Sequence, residues 1–283
     1  MLLQHFGHQV SQADLKAILR TNPDDRNVFT YEVSDLLKKK YNIDSKLLYN
    51  GDIQRIKTLV DNGFYVFVES FLHSTDDIGH ALIIRGYDDA KKVFIADDSF
   101  VKVGRELPYQ EFDQKQWKAF NREYMPVYAP ANEDLVKSII GTDWDKTAMY
   151  DRSVQTNEAA TAADPKDMYS WFNLGSSYYH VGEYQKAKNA FDTSRALGWP
   201  ARMLWYQYDP IKNDNAMGEY QQALDLIAQG LKNNNSYAEL HYEAAVAYRG
   251  LGQIDKALKE VRSSIQLAPK YQPAQALATE LEQ

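Results

Sequence analysis

Apolar and polar positions follow one set of periods up to about residue 130 and a different one beyond it. In the first part, apolar residues at helical spacing lie between residues that typically begin or end a helix. Ser11, with Asp14 three residues later, opens SQADLKAIL, Thr30 begins TYEVSDLLKKKY, and Gly63 ends GDIQRIKTLVDNG. MLLQHFG has the pattern of the last turns of a helix that stops at Gly7. The sequence therefore predicts several short helices before residue 64.

The period then changes to that of β-strands. FYVFVES (64–70), HALIIRGY (80–87) and KVFIAD (92–97) are rich in β-branched and aromatic residues, and a short turn joins the last two. A helix, YQEFDQKQWKAF, and a closing strand, EYMPVYAP, follow. Residues 1–129 are therefore predicted to form an α+β domain with an antiparallel sheet.

The rest of the chain is helical and repeats itself. Its first clear unit carries small and aromatic residues at fixed spacings: Trp171, Leu174, Gly175, Tyr178, Gly182, Ala187 and Phe191. A later unit places similar residues in matching positions: Ala245, Tyr248, Gly252, Ala257 and Pro269. These spacings resemble the tetratricopeptide repeat, whose period is about 34 residues and whose helix pairs bury their apolar faces against neighbouring pairs.

Counting periods sets the expected boundaries. Gly182 and Gly252 are separated by two periods plus two residues, and we expect the extra two in QYDPIKNDNAMGEY, as a longer turn inside the middle repeat. One period earlier, 134–167 has the features of a degenerate repeat. The predicted organisation is an α+β domain over 1–129, a linker with a degenerate helical repeat over 130–167, and an all-α tetratricopeptide solenoid over 168–283.

Solenoids of this kind present the inner faces of their first helices to a concave groove. A partner peptide or protein is expected to bind there, and we predict six groove residues: Tyr169, Phe172, Tyr179, His180, Tyr242 and Arg249. Core packing is the simpler explanation for Trp171, Tyr178 and Phe191.

Composition and charge narrow the function classes. The net charge of −7 is spread over both parts, so neither has the basic excess of a nucleic-acid binder. No apolar stretch approaches the roughly 20 residues of a membrane span, and no secretory signal is recognisable. The sequence contains no zinc-protease motif and no phosphate-binding glycine loop, so no metal or cofactor is expected. Oligomeric state and compartment stay open.

His80 opens one predicted strand, and Asp97 and Asp98 end the next. A turn over residues 88–91 would place Asp97 opposite Leu82, on the face of His80 and one diagonal step away. A turn one residue longer would put Asp98 on that face instead. Either carboxylate could orient the imidazole, as in a base–orienter pair.

GHALIIRGYDDAKKVFIADDS resembles the C39-like branch of the papain-fold cysteine peptidases. The resemblance rests on Gly-His before a strand, the Gly-Tyr-Asp turn, and a strand that ends in Asp97, with Asp98 where the family usually has proline. It implies that His80 is the general base and acid, that Asp97 orients it, and that a cysteine on the first long helix is the nucleophile. It also points to a bacterial and exported protein.

The chain has no cysteine, and MLLQHFG is similar only to the end of the family's nucleophile helix. Gln4 lies beyond the position of the family's oxyanion glutamine. Two explanations stay open: the chain is a fragment of an active peptidase that cleaves peptide bonds, which its uncapped start favours, or it descends from a peptidase that lost catalysis. For the chain as given we expect a non-catalytic peptide-binding or scaffolding protein.

Overall fold

The computed structural model describes residues 2–20, 22, 24, 28–232 and 234–283. Four helices lie before the second strand of the chain: α1 (Leu2–His5), α2 (Gln12–Leu19), α3 (Thr30–Tyr41) and α4 (Ile53–Asp61). The predicted start of α2 is confirmed, because the Ser11 hydroxyl accepts from the Asp14 backbone N–H at 3.1 Å and the Asp14 carboxylate accepts from the Ser11 N–H at 3.2 Å.

Within the described residues the strands form a six-stranded sheet of order β1-β6-β2-β3-β4-β5, and every neighbouring pair is antiparallel. The strands are β1 (Asp44–Ser45), β2 (Tyr65–Phe71), β3 (Gly79–Asp88), β4 (Val93–Asp97), β5 (Arg105–Pro108) and β6 (Tyr124–Tyr128). The sequence analysis missed β1 and β5, which are too short to show an alternating pattern. The predicted helix over 109–120 is present as α5 (Tyr109–Glu111), a π-helical turn (Phe112–Trp117) and a 3₁₀ turn (Lys118–Phe120).

The sheet buries both of its faces. Val66, Val68 and Leu82 face a core that includes Phe112 and Trp117. The opposite face packs against the N-terminal helices, and its core contains Leu2, Leu3, Leu37, Ile43, Met125 and Val127. Coverage on both sides explains why the strands read as nearly continuous apolar runs.

The hairpin β3–β4 differs from the predicted register. Asp88 pairs with Val93, so the turn spans residues 89–92 rather than 88–91, and Lys92 adopts a left-handed φ of 57°. An irregularity between Ile84 and Gly86 then shifts the pairing by one residue, and Asp97 pairs with Ile83 instead of Leu82. Bulges of this kind leave no clear sequence signal when the extra residue is itself compatible with a strand.

Helices make up the rest of the chain: α6 (Glu133–Ile140), α7 (Lys146–Ala163), α8 (Met168–His180), α9 (Tyr184–Ala196), α10 (Asp209–Ala216), α11 (Tyr220–Leu231), α12 (Ala238–Gly250), α13 (Ile254–Leu267) and α14 (Gln272–Leu281). Gly182, Gly218 and Gly252 have positive φ in the turns within the pairs α8/α9, α10/α11 and α12/α13. Gly175 permits the close approach of α8 and α9, because a Cβ there would lie 2.5 Å from the Phe191 ring.

Helices α6 to α14 form a helical array, and one expectation about this array is wrong. The turns 181–183, 217–219 and 251–253 within the three helix pairs have the same length, so the middle repeat has no longer internal turn. The two extra residues lie between Gly182 and Gly218, and they fall before α10. There a 3₁₀ segment, Ala201–Trp205, connects α9 to α10. QYDPIKNDNAMGEY instead contains the whole of α10, which Pro210 helps to start at its first turn.

The two parts of the chain pack tightly against each other. Val136 of α6 and Tyr150 of α7 are part of the sheet core. Arg55 of α4 donates to the buried Asp143 carboxylate at 2.6 Å. Further along, the Asn173 amide donates to the Lys118 carbonyl at 2.8 Å. These contacts hold the array against one end of the sheet.

Candidate functional site

His80 lies at the start of β3 and forms a hydrogen-bonded pair with Asp98. Its Nε2 is 2.9 Å from Asp98 Oδ1, and 16% of its side chain is exposed. Asp98 follows the last residue of β4, where the chain turns toward β5. The alternative orienter named from the sequence is therefore the carboxylate that contacts the imidazole.

Asp98 is held by more donors than His80 alone. Its Oδ1 accepts from the backbone N–H groups of Phe100 and Val101 at 2.8 and 2.9 Å, and its Oδ2 accepts from Arg105 Nη1 at 2.8 Å. Burial on its own disfavours the charged carboxylate, but the hydrogen bonds from Val101, Arg105 and Phe100 outweigh it and lower the pKa of Asp98 to about 2. Asp98 is therefore a fixed negative charge beside His80.

Asp97, the first choice from the sequence, does not contact His80. Its Oδ1 accepts from Arg85 Nε at 2.9 Å and from the Gly104 N–H at 3.1 Å. The physical reason is the shifted register, which pairs Asp97 with Ile83 and turns its side chain to the other face of the sheet. There it borders an apolar groove of about 800 Å³ between the sheet and the first helices.

His80 lines a crevice of about 730 Å³ between the sheet domain and the helical array. One wall comes from the sheet domain and includes Thr30, Phe67, Glu69, His80 and Ala81. The other wall comes from the array: Arg202, Trp205, Tyr206, Asn234, Ser236 and Tyr237. Sequence reasoning did not identify this second wall, because the residues belong to the connection before α10 and to the approach to α12.

Direct contacts join the two parts of the chain beside this crevice. Arg202 Nη1 donates to Asp77 Oδ1 at 2.9 Å. The Tyr206 ring lies against Gly79, where a Cβ would come within 2.8 Å of ring carbons. Gly79 is therefore the residue that lets the array approach the strand beside His80.

The predicted groove residues divide into two groups. Tyr179, His180 and Tyr242 line a groove of about 530 Å³ on the array, together with Lys212 and Tyr271. His180 stacks on the Tyr150 ring at 4.3 Å between ring centroids, and its Nε2 is 3.2 Å from Asp209 Oδ2.

For the other three residues the groove prediction is wrong. Phe172 is fully buried, because its ring packs between Phe191 and Trp199 with centroids 5.4 and 5.3 Å away. Tyr169 packs edge-on against Phe71 of the sheet domain at 5.9 Å. Arg249 forms an ion pair with Glu280 at 2.8 Å and does not line the groove. Helical periodicity places a residue on a face, but it does not tell which neighbour covers that face.

Among the described residues, no three histidine, cysteine, aspartate or glutamate side chains converge as metal ligands. In the same part of the chain, no helix combines the length and apolarity of a membrane span.

Comparison with known proteins places these features. Residues 1–125 match the Peptidase_C39 like family, and residues 169–194 and 216–271 match tetratricopeptide repeat models. A curated relative, superkiller protein 3 of Schizosaccharomyces pombe, is 23% identical over 201 residues, which are 65% of this chain. This chain spans 14% of the length of that relative.

Solved structures match about half of the chain. The crystal structure of MamA is 20% identical with a TM-score of 0.43, covering 48% of this chain and 78% of that one. MamA from Desulfovibrio magneticus RS-1 is 19% identical with a TM-score of 0.41, covering 49% and 84%. The APC/C hetero-tetramer Cut9-Hcn1 matches at 20% identity and a TM-score of 0.41, covering 46% and 26%. From these family matches, the chain has a Peptidase C39-like domain over residues 1–125, and tetratricopeptide repeats follow it within residues 169–271.

Proposed function

We propose that this protein binds a peptide or an extended protein segment in the crevice beside His80, and that it does so without peptidase catalysis by its own residues. The observation that carries the proposal is the joint construction of the crevice, in which the C39-like domain supplies the His80 wall and the repeats supply the opposite one. The absence of cysteine from the chain supports the second part, because none of its own side chains can provide a thiolate.

The crevice has the chemistry of a peptide site. Its volume of about 730 Å³ suits a few extended residues. Trp205 and Tyr206 offer aromatic surface, which is enriched at protein interfaces, while His80 and Glu69 offer polar groups. A bound segment would contact both parts of the chain at once, so its affinity would depend on how they are packed.

The groove of the array is a second contact surface in this proposal. Tyr179, Tyr242 and Tyr271 border it, and Lys212 adds a cation. A partner longer than a few residues could contact the crevice and this groove through separate segments. Such a scaffolding role is the common use of helical repeat surfaces.

The test begins with peptides selected against the full chain from a random displayed library, and their affinities are measured by fluorescence anisotropy. Ala81→Trp places an indole at the wall of the crevice, since Ala81 is exposed and lies where the crevice meets the apolar groove beside Asp97. Ala90→Trp is the matched control, because Ala90 is exposed in the β3–β4 turn and lines no part of the crevice. We expect Ala81→Trp to weaken binding at least tenfold and Ala90→Trp to leave it unchanged. Equal affinities would refute the crevice as the binding site.

Catalysis is tested on the same peptides. We expect no cleavage above buffer in mass spectra of the peptides after incubation with the full chain. Cleavage that disappears in His80→Ala but persists in His73→Ala would refute the non-catalytic assignment. His73 is a suitable control because it is an exposed histidine, paired with Asp76 at 2.7 Å and outside the crevice lining.

A further inference from the structure

A second, smaller cavity of about 170 Å³ lies at the junction of the two parts of the chain, next to the crevice. Thr30, Glu69 and Tyr206 line both spaces, so the cavity adjoins the crevice at these residues. The C39-like domain contributes Tyr49 and Glu123 to its walls, and the array closes it. The residues from the array are Tyr150, Ser176, His180, Gln207, Tyr208, Asp209 and Lys212.

Two carboxyl groups without a cation border this cavity. Glu123 accepts from the Thr30 hydroxyl at 2.5 Å, and its charge acts on the neighbouring Glu69. Burial raises the pKa of both groups, and the charge of Glu123 raises that of Glu69 further. Among the described residues, no lysine or arginine forms an ion pair with either carboxylate.

The third carboxylate of the cavity is already balanced. Asp209 is paired with His180 at 3.2 Å and with Lys212 at 3.5 Å, and the charges of these two neighbours lower its pKa in spite of its burial. The carboxyl groups without a cationic partner are therefore confined to the Glu69–Glu123 side of the cavity.

Two further features of the walls favour a cationic ligand. The hydroxyl oxygen of Ser176 is buried without a hydrogen-bond partner, and the residue, only 6% exposed, lines the cavity. Aromatic rings also surround the space, and their faces attract cations. These rings are Phe29, Tyr31, Tyr49, Phe120, Tyr150, Tyr206 and Tyr208.

We propose that this cavity binds a primary ammonium group, as found on a lysine side chain or a peptide N-terminus. An ammonium has three donors and no acceptor, which matches two carboxylates and the free oxygen of Ser176. The group would enter from the adjoining crevice, so the natural source of the amine, though not the cavity itself, rests on the peptide-binding function proposed above. The site would select peptides whose amine reaches this cavity from the crevice, past Thr30, Glu69 and Tyr206.

The first test uses n-butylammonium chloride and isothermal titration calorimetry on the full chain, with n-butanol as the neutral control. We expect binding of the ammonium and none of the alcohol. Glu69→Gln and Glu123→Gln should each weaken binding at least tenfold, whereas Glu111→Gln, which changes an exposed carboxylate outside the cavity, should not. Titrations in two buffers of different ionisation enthalpy should show proton release, because the cation favours the ionised carboxylates.

The Gln variants keep the shape of the side chain and remove only its ability to ionise, so we expect their circular dichroism spectra to match that of the unaltered protein. Absence of ammonium binding, or equal binding by folded Glu69→Gln, would overturn the inference. If the protein binds n-butylammonium but the library yields no peptide that binds, only the proposed function is refuted.

The second test asks where the amine comes from. Selected peptides are compared with versions in which lysine is replaced by norleucine or the N-terminus is acetylated. We expect one of these changes to weaken binding at least tenfold in the unaltered chain and much less in Glu69→Gln. Peptides that bind with full affinity after both changes would overturn the inference while leaving the proposed function intact.

Discussion

Replacing each of the two adjacent aspartates in turn should separate their roles sharply. Asp98→Ala removes the partner of four donors at once, and two of them, His80 and Arg105, are largely buried, with 16% and 13% of their side chains exposed. Asp97→Ala removes the partner of two donors, of which Arg85 keeps 36% of its side chain in solvent. The two variants therefore differ in what they leave buried without a partner.

The energetic costs expected for the two substitutions are well separated. Removing one partner of a buried ion pair costs about 3–5 kcal/mol, because the remaining charge stays desolvated. Loss of an exposed pair costs about 0–1 kcal/mol, and loss of one backbone hydrogen bond adds about 1 kcal/mol. We therefore expect a free energy of unfolding lower by about 3–5 kcal/mol for Asp98→Ala and by about 1–2 kcal/mol for Asp97→Ala.

Urea unfolding of the two variants, followed by tryptophan fluorescence, measures this difference. The fluorescence is informative because Trp117 lies in the core of the sheet domain. A larger loss for Asp97→Ala, or equal losses, would refute the register described here and restore Asp97 as the partner of His80.

Three further predictions concern packing, pH and local stability. Gly79→Ala should lower the free energy of unfolding by about 1–3 kcal/mol through overpacking. Gly86→Ala should cost much less, because its new Cβ would lie 3.5 Å from the Ile95 Cβ, an ordinary contact distance. Equal midpoints of thermal unfolding for the two variants would contradict this. The pKa of Glu123 is raised in the folded state above its usual 4.5, so its contribution to the free energy of unfolding is lost as the pH rises through that raised value. In urea titrations from pH 5 to 8, Glu123→Gln should therefore lose less stability than the unaltered chain. Equal losses in the two proteins would contradict this. The apolar groove under the first helices should lower the local stability of residues 1–129, so their amide hydrogens should exchange faster than those of residues 168–271. The reverse order of exchange, measured by mass spectrometry, would contradict this.

Local signals in the sequence predicted most of the elements. The capping pair Ser11–Asp14, the alternating runs of the strands and the spacing of Gly182 and Gly252 each depend on residues close in sequence. The α+β domain and the repeats follow from such local rules, because hydrophobic period and turn chemistry are properties of short segments.

The site was less predictable because it depends on single-residue shifts and on long-range packing. The irregularity between Ile84 and Gly86 moved Asp97 to the other face of the sheet, and no residue in this segment predicts it. The array wall of the crevice arises from contacts such as Arg202 with Asp77, which are 125 positions apart. The Glu69–Glu123 pair was missed for the same reason, since each residue alone reads as an ordinary strand or turn position.

Histidine carbethoxylation read by mass spectrometry tests the central claim most directly, because two histidines report on the two proposed contact surfaces and a third serves as the control. His80 reports on the crevice, His180 on the array groove, and the exposed His73 on neither. With a selected short peptide bound, we predict that modification of His80 falls several-fold while that of His73 is unchanged. Unchanged modification of His80, with or without protection of His180, would contradict a binding site shared by the C39-like domain and the repeats.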